Sequence, residues 1–306
     1  MGDPAGIGPE VLAKAISPPL RKEAGEGKNS FLIIGDGFVL RRYLKKLPPR
    51  VQFLDLKNIS RSKLIYGQAN RHSARAALEY LDIAIVLLKN KKISALVTAP
   101  VCKEAIVSLG VDFPGHTEYL AQAFGVKKVG MMFVGKNLKT VLTTRHIPIA
   151  QVSRSLTQNL ILEIILLTHE GLKKFFKKNN PQIAVCGLNP HAGEWGTIGK
   201  EEMTTIIPAL RQAQKKGIHV HGPFSADTLF YPKHSEQFDC IISMYHDQGL
   251  IAIKAFEFHN LVNLTLGLPF VRTSPAHGTA LDIVGQNKAN PSSMVAAIEL
   301  AQQLTE

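Results

Sequence analysis

Three short apolar runs in this chain, Thr140–Thr143, Ile183–Leu188 and Cys240–Tyr245, each break off into a polar turn that carries a histidine: His146, His191 and His246. A short apolar run that stops at turn-forming residues reads as a buried strand. Buried strands that end in polar, Gly-rich turns are the mark of an open α/β sheet, whose chemistry lies beyond the carboxyl ends of its strands. The middle run is the most explicit. After Leu188 come Asn189, Pro190, His191, Ala192, Gly193, Glu194, Trp195, Gly196, Thr197, Ile198 and Gly199, and a helix is expected from Lys200-Glu201-Glu202. Glycines let the backbone approach a ligand closely, and a helix start offers free N–H groups to an anion.

The rest of the chain alternates in the same manner. Phe31–Gly35 and Ile93–Thr98 read as strands, and between them Ala74, Ala77, Leu78, Leu81, Ile85 and Leu88 recur with helical period. Val129–Val134 and Thr140–Thr143 read as paired strands turning at Gly135-Lys136-Asn137. Helices are expected over Thr157–Lys178 and Glu201–Lys216. A loop is expected over Gly222–Thr228, with Asp227 as a carboxylate prone to burial, and a strand over Leu250–Ile253 closed by Lys254. This alternation predicts mostly parallel sheets. At 306 residues the chain exceeds the usual size of one domain. Two are expected, 1–125 together with 270–306, and 126–269. The beginning is unusual. Gly2-Asp3-Pro4-Ala5-Gly6-Ile7-Gly8-Pro9-Glu10 is a Gly-rich loop feeding a helix, a kind that normally leaves a strand end, yet no strand precedes it. Gly35-Asp36-Gly37 opens like a dinucleotide fingerprint, but Leu40 stands where the third glycine belongs, so no Rossmann phosphate loop is expected.

Composition narrows the function classes. An apolar fraction of 45% excludes a disordered chain. No apolar run approaches the roughly twenty residues that cross a bilayer, so no membrane association is expected. Cys102, Cys186 and Cys240 are far apart, and the latter two sit in apolar runs, which reads as free thiols in a reducing cytoplasm. The formal charge of +12 is spread along the chain without interleaved aromatics, which favours collection of small phosphorylated anions over nucleic acid.

Neutral imidazole is the commonest metal ligand in proteins. Three from separate strand ends suit an open catalytic site that leaves coordination positions for substrate, rather than a closed structural one. A single histidine after a strand is usually a loop residue; three on equivalent strand ends favour a metal, with Asp227 and Asp247 as carboxylates to orient the rings. Downstream lie Lys254, Asn263 and Arg272. An isolated base is ordinarily solvated, but Arg272 is embedded among apolar and small residues and calls for a carboxylate or phosphate partner. A metal site with basic anion clamps points to a phosphorylated, chelating small molecule.

Across nearly its whole length the chain resembles the 4-hydroxythreonine-4-phosphate dehydrogenases of pyridoxal phosphate biosynthesis. The resemblance rests on the stretches Gly2–Glu10, Gly115-His116-Thr117-Glu118, Gly187–Glu194, Tyr245-His246-Asp247-Gln248-Gly249, Thr265-Leu266-Gly267-Leu268-Pro269, Arg272-Thr273-Ser274 and His277-Gly278-Thr279-Ala280. It implies that His146, His191 and His246 bind a divalent cation (zinc, magnesium or cobalt) at a site completed across a homodimer interface. It implies too that His116, Thr117, Lys254, Asn263 and Arg272 hold the phosphorylated amino-acid substrate. Ile7-Gly8-Pro9-Glu10 and the segment from His277 to Pro291 are similar, more distantly, to the isocitrate and isopropylmalate dehydrogenases. That similarity implies two α/β/α domains with the active site between them, and an NAD or NADP site at His277, Gly278, Thr279, Asp282 and Asn290. The reaction implied is metal-assisted hydride transfer from the substrate's secondary alcohol, followed by decarboxylation, with Asp247 and Lys254 as candidate proton acceptors. Alternatives are a related dehydrogenase acting on a threonate or erythronate 4-phosphate and a phosphate acyltransferase of similar fold.

Overall fold

The computed structural model describes residues 1–17 and 30–305. Ten strands are formed among the described residues: β1 Phe31–Gly35, β2 Val51–Asp55, β3 Ala95–Val97, β4 Gly130–Val134, β5 Lys139–Leu142, β6 Ile183–Cys186, β7 Val220–Phe224, β8 Cys240–Ser243, β9 Val262–Leu266 and β10 Val271–Pro275. The chain divides into two units, one made of Met1–Lys127 with Leu268–Glu306, the other of Lys128–Gly267.

In the first unit β1 runs parallel to β2, with Phe31 opposite Val51, and β3 runs parallel to β10, with Ala95 opposite Val271. The helix Gly8–Ile16 has proline in its first turn, where the missing N–H costs no bond. It buries Val11, Ala13, Ala15 and Ile16 in a core shared with Ile33, Leu40, Met294 and Ile298. The long helix Arg71–Lys89 starts at a reciprocal cap. Asn70 Oδ1 accepts the N–H of His72 and Ser73 at 2.9 and 3.0 Å, while Ser73 Oγ accepts the N–H of Asn70 at 3.1 Å. Its periodic face, Ala74, Ala77, Leu81, Ile85 and Leu88, is buried.

The second unit is built on six strands in the order β9-β4-β5-β8-β6-β7. The pairs β5–β8, β8–β6 and β6–β7 are parallel, and β4 is antiparallel to both β5 and β9. The helix Gln158–Phe176, capped by Thr157, lays Ile161, Ile164, Ile165, Leu172 and Phe175 against these strands. Each such side chain, fully buried, contributes about 2 kcal/mol. Because β5, β8 and β6 are parallel neighbours, the loops that leave their carboxyl ends emerge side by side on one edge. Those loops carry His146, His246 and His191.

Three sequence expectations are corrected here. Leu250–Ile253 is not a strand: it lies within the helix His246–Phe256, which buries Leu250 and Ile253 and leaves Ile251 exposed. A four-residue apolar run cannot be told from one side of a helix by periodicity. Gly222–Phe224 belongs to β7 rather than to a loop. Asp227 is exposed, because the short helix Ala226–Leu229 turns its carboxylate back onto Ser225 Oγ and the Thr228 N–H, at 2.6 and 2.9 Å. All three cysteines are free, and burial pushes the thiols of Cys186 and Cys240 up to about 12. Among the described residues no helix is long and apolar enough to cross a membrane.

Candidate active site

The histidine-bearing loops of the second unit are held by carboxylates and one amide. His246 opens its helix, and its Nδ1 lies 2.6 Å from Asp247 Oδ1. His191 Nδ1 lies 2.7 Å from Glu194 Oε1. In the neutral ring each Nδ1–H donates to its carboxylate, so each Nε2 keeps its lone pair for an ion. The Glu194 carboxylate also holds the pKa of His191 above its ordinary value, with a smaller contribution from Asp227. Gln248 ties two loops together: its Oε1 accepts the Met244 N–H at 2.7 Å and its Nε2 donates to the Gly187 carbonyl at 2.8 Å.

His191 is presented by an unusual backbone. His191, Ala192, Gly193, Glu194 and Trp195 all have positive φ, at 52, 52, 79, 41 and 57°. This is a left-handed turn, unfavourable by roughly 1–2 kcal/mol for each non-glycine residue. The buried carboxylate of Glu202 supports it. Its Oε1 accepts the N–H of Leu188 and of Asn189, both at 2.8 Å, and its Oε2 accepts from Asn189 Nδ2 at 2.8 Å. A Cβ at Gly193 would press on that same Oε2, so a side chain there would strain both the turn and the carboxylate that supports it. The sequence places Glu202 near a helix start, and no local residue signals that its carboxylate turns back into the loop.

The ring centroids of His146 and His246 are 5.6 Å apart. His191 is not in that pair, and among the described residues no three His, Cys, Asp or Glu side chains of one chain are grouped to hold an ion. The donor chemistry nevertheless fits a divalent cation. Neighbouring imidazoles at parallel strand ends supply two nitrogens, and carboxylate-braced His191 has the chemistry of a third.

The other sequence candidates fall on both units. In the first, Arg272 on β10 is 3% exposed and its Nη2 donates to Thr98 Oγ1 at 2.6 Å, just beyond β3. Burial lowers its pKa to about 10, so it remains a cation at neutral pH. Thr117 is buried in the first turn of the helix His116–Ala123. Burial, together with the cations of Arg272 and Lys103, holds the pKa of His116 well below its ordinary value. A buried guanidinium near a neutral imidazole has the chemistry to receive an anion, and the Glu118 carboxylate acts on the same guanidinium. Thr98 and Lys103 had no signal in the sequence, since only the fold brings them to Arg272 and His116. In the second unit, Asn263 on β9 has a buried Oδ1 with no hydrogen-bond partner among the described residues, and Lys254 Nζ lies 5.7 Å from the Phe258 ring centroid.

The C-terminal loop singled out for dinucleotide binding is laced to the N-terminal Gly-rich loop. The Thr279 carbonyl accepts the Ile7 N–H at 3.0 Å, and Glu10 Oε1 accepts the Ala289 N–H at 3.1 Å. Gly278 is open on its Cα side, Asp282 is exposed, His277 Nδ1 meets the Gly278 carbonyl at 3.0 Å, and Asn290 Oδ1 caps the Ser292 N–H at 2.9 Å.

Residues 28–301 match the family described as pyridoxal phosphate biosynthetic protein PdxA. The chain is 41% identical over 319 residues to a 4-hydroxythreonine-4-phosphate dehydrogenase of Desulforapulum autotrophicum, covering 98% of this chain and 93% of that one. It is 41% identical over 316 residues, with the same coverage, to that of Zymomonas mobilis. Its fold superposes on the crystal structure of the 4-hydroxythreonine-4-phosphate dehydrogenase from Klebsiella pneumoniae with a TM-score of 0.87 at 34% identity, covering 100% of this chain and 96% of the other.

Proposed function

This chain belongs to the PdxA family and is an oxidoreductase of pyridoxal phosphate biosynthesis; we propose that it oxidises 4-phosphohydroxy-L-threonine at its secondary alcohol, with NAD or NADP and a divalent cation. Bound NAD or NADP would supply the acceptor for the carbon-bound hydrogen as hydride, and the hydroxyl proton would pass to a base. The product is 2-amino-3-oxo-4-phosphooxybutanoate, a β-keto acid, which loses carbon dioxide to give 3-amino-2-oxopropyl phosphate. The observation that carries this reading beyond family membership is the adjacent pair His146 and His246 at the ends of parallel strands, 5.6 Å apart.

A zinc, magnesium or cobalt ion held there would supply a Lewis acid that acidifies the substrate hydroxyl near neutral pH. His146 and His246 offer two nitrogens, and His191 from a second copy of the chain supplies the third. The apolar side chains of Ile251, Phe256 and Phe258, exposed in and just beyond the helix that His246 begins, support a homodimer. Arg272, His116 and Thr117 hold the phosphate group remotely from the reacting carbon, so binding energy serves alignment, and Asn263 and Lys254 hold the amino-acid end of the substrate. His277, Gly278, Thr279, Asp282 and Asn290 hold the dinucleotide. Asp247, which engages His246 through one carboxylate oxygen, and Lys254 are the two candidate proton acceptors.

The test is spectrophotometric reduction of NAD and of NADP with 4-phosphohydroxy-L-threonine, before chelation, after it, and after return of each metal. Turnover that is lost on chelation and restored by metal supports the reading. No turnover with any of the three metals overturns it.

A further inference from the structure

Lys14, in the last turn of the helix Gly8–Ile16, has three ammonium hydrogens and three oxygens within reach. Its Nζ donates to Glu10 Oε1 at 2.8 Å and to the carbonyls of Asn287 and Ala289 at 3.0 and 2.9 Å. Glu10 completes the clasp, because the same Oε1 accepts the Ala289 N–H at 3.1 Å. The two side chains can act as a unit since residues four apart on a helix stand one above the other. The Glu10 carboxylate is buried, and its Oε2 has no hydrogen-bond partner among the described residues. A buried charge so placed depends on its counter-ion, here Lys14.

The backbone that this pair grips, residues 287–289, leads directly into Asn290. Asn287 takes a left-handed φ of 59°, and the bond from Lys14 to its carbonyl fixes that turn. The other end of the same loop is held by the residues just before the helix. The Ile7 N–H bonds the Thr279 carbonyl at 3.0 Å, and a Cβ on Gly6 would stand 3.2 Å from that oxygen. Between the two holds the loop is open to solvent, with Gly278, Asp282 and Asn290 all exposed.

We propose that Glu10 and Lys14 are positioning residues for the dinucleotide: through the backbone of 287–289 they hold Asn290 and the loop from His277 in its binding shape before the cofactor arrives. The inference rests on the assignment of that loop to NAD or NADP. A loop already ordered loses less conformational entropy on binding, so affinity rises with no added contact. Contact with the cofactor falls to the exposed Gly278, Asp282 and Asn290, and the pair acts only through the chain it grips.

The experiment reads three quantities in Lys14→Met: Kd for NADH and NADPH by calorimetry without substrate, amide hydrogen exchange over residues 278–290, and KM for dinucleotide and for 4-phosphohydroxy-L-threonine. Cofactor binding is expected to weaken about tenfold and loop exchange to quicken by a similar factor, with KM rising for the dinucleotide and staying within about twofold for the substrate. Adding Glu10→Gln to Lys14→Met removes the unpaired buried charge, so it is expected to recover part of the lost Tm without recovering the affinity. Lys14→Gln, a milder change, is read in the same way if Lys14→Met does not fold. Full affinity, or weakened affinity with unchanged loop exchange, overturns the proposal. Gly278→Val tests the loop assignment separately. Weakened binding there beside full affinity in Lys14→Met overturns the positioning role alone, and full affinity in both overturns the assignment as well.

Discussion

Glu202 grips Asn189 twice, at its backbone nitrogen through Oε1 and at its side-chain nitrogen through Oε2, both at 2.8 Å. The carboxylate is 2% exposed and is packed against the loop that presents His191. Replacing it by glutamine sets an amide donor against the Asn189 donor, leaving a buried polar clash worth about 1–3 kcal/mol. Glu202→Gln is expected to lower kcat/KM about tenfold or more, and to lower Tm by a few degrees. Steady-state kinetics with a parallel thermal scan checks this; wild-type kcat/KM in the variant would show that the loop holds without the carboxylate.

Asp247 contacts His246 rather than standing free. Asp247→Ala is therefore expected to weaken metal affinity by about ten- to a hundredfold, with activity recovered at raised metal concentration. Titration of the chelated enzyme with zinc or cobalt separates the two roles. Activity that stays low at saturating metal would make Asp247 a direct participant in proton transfer instead.

Arg272 carries a fork of donors at a buried position. Arg272→Lys keeps the charge and loses the fork, so KM for the phosphorylated substrate is expected to rise about tenfold, and in Arg272→Ala about a hundredfold, with smaller changes in kcat. An unchanged KM in the alanine variant would place the substrate anion elsewhere.

Two groups give up their proton on folding, the Met1 amine and the His116 ring. In the unfolded chain they bind protons below about pH 8 and about pH 6.5 respectively. The folded chain refuses the first until about pH 5 and the second until well below the ordinary histidine range. The unfolded state thus holds more protons across this window, so the stability they govern is full above about pH 8 and declines as pH falls. Tm measured from pH 8 to 5 is expected to decrease. Acetylating the amine should flatten the upper part of the curve and His116→Gln the lower part. A Tm independent of pH in both the parent and the variants would contradict the buried placement of these groups.

The strands that position the histidines could be read directly, because Ile183–Cys186 and Cys240–Ser243 are unbroken apolar runs cut off by turn residues. What could not be read is that β8 lies between β5 and β6, the non-sequential order that makes neighbours of His146 and His246. Arg272 stood out through its apolar surroundings, but its partner Thr98 is 174 residues away and carries no local signal. Leu250–Ile253 misled because four apolar residues fit either period, and the packing of Leu250 and Ile253 settled it as helix. Glu202 was visible as an acidic residue near a helix start, yet its inward turn depends on the left-handed path of the loop before it.

That mirror-handed path limits how the loop can diverge among relatives. Branched side chains such as valine and isoleucine strongly resist positive φ, so positions 191 to 195 form a window closed to them regardless of polarity or size. A chain that acquired one there would have to rewind the turn to ordinary handedness, and the imidazole at its start would swing away with it. Divergence in this segment is therefore filtered by backbone geometry before any question of catalysis arises.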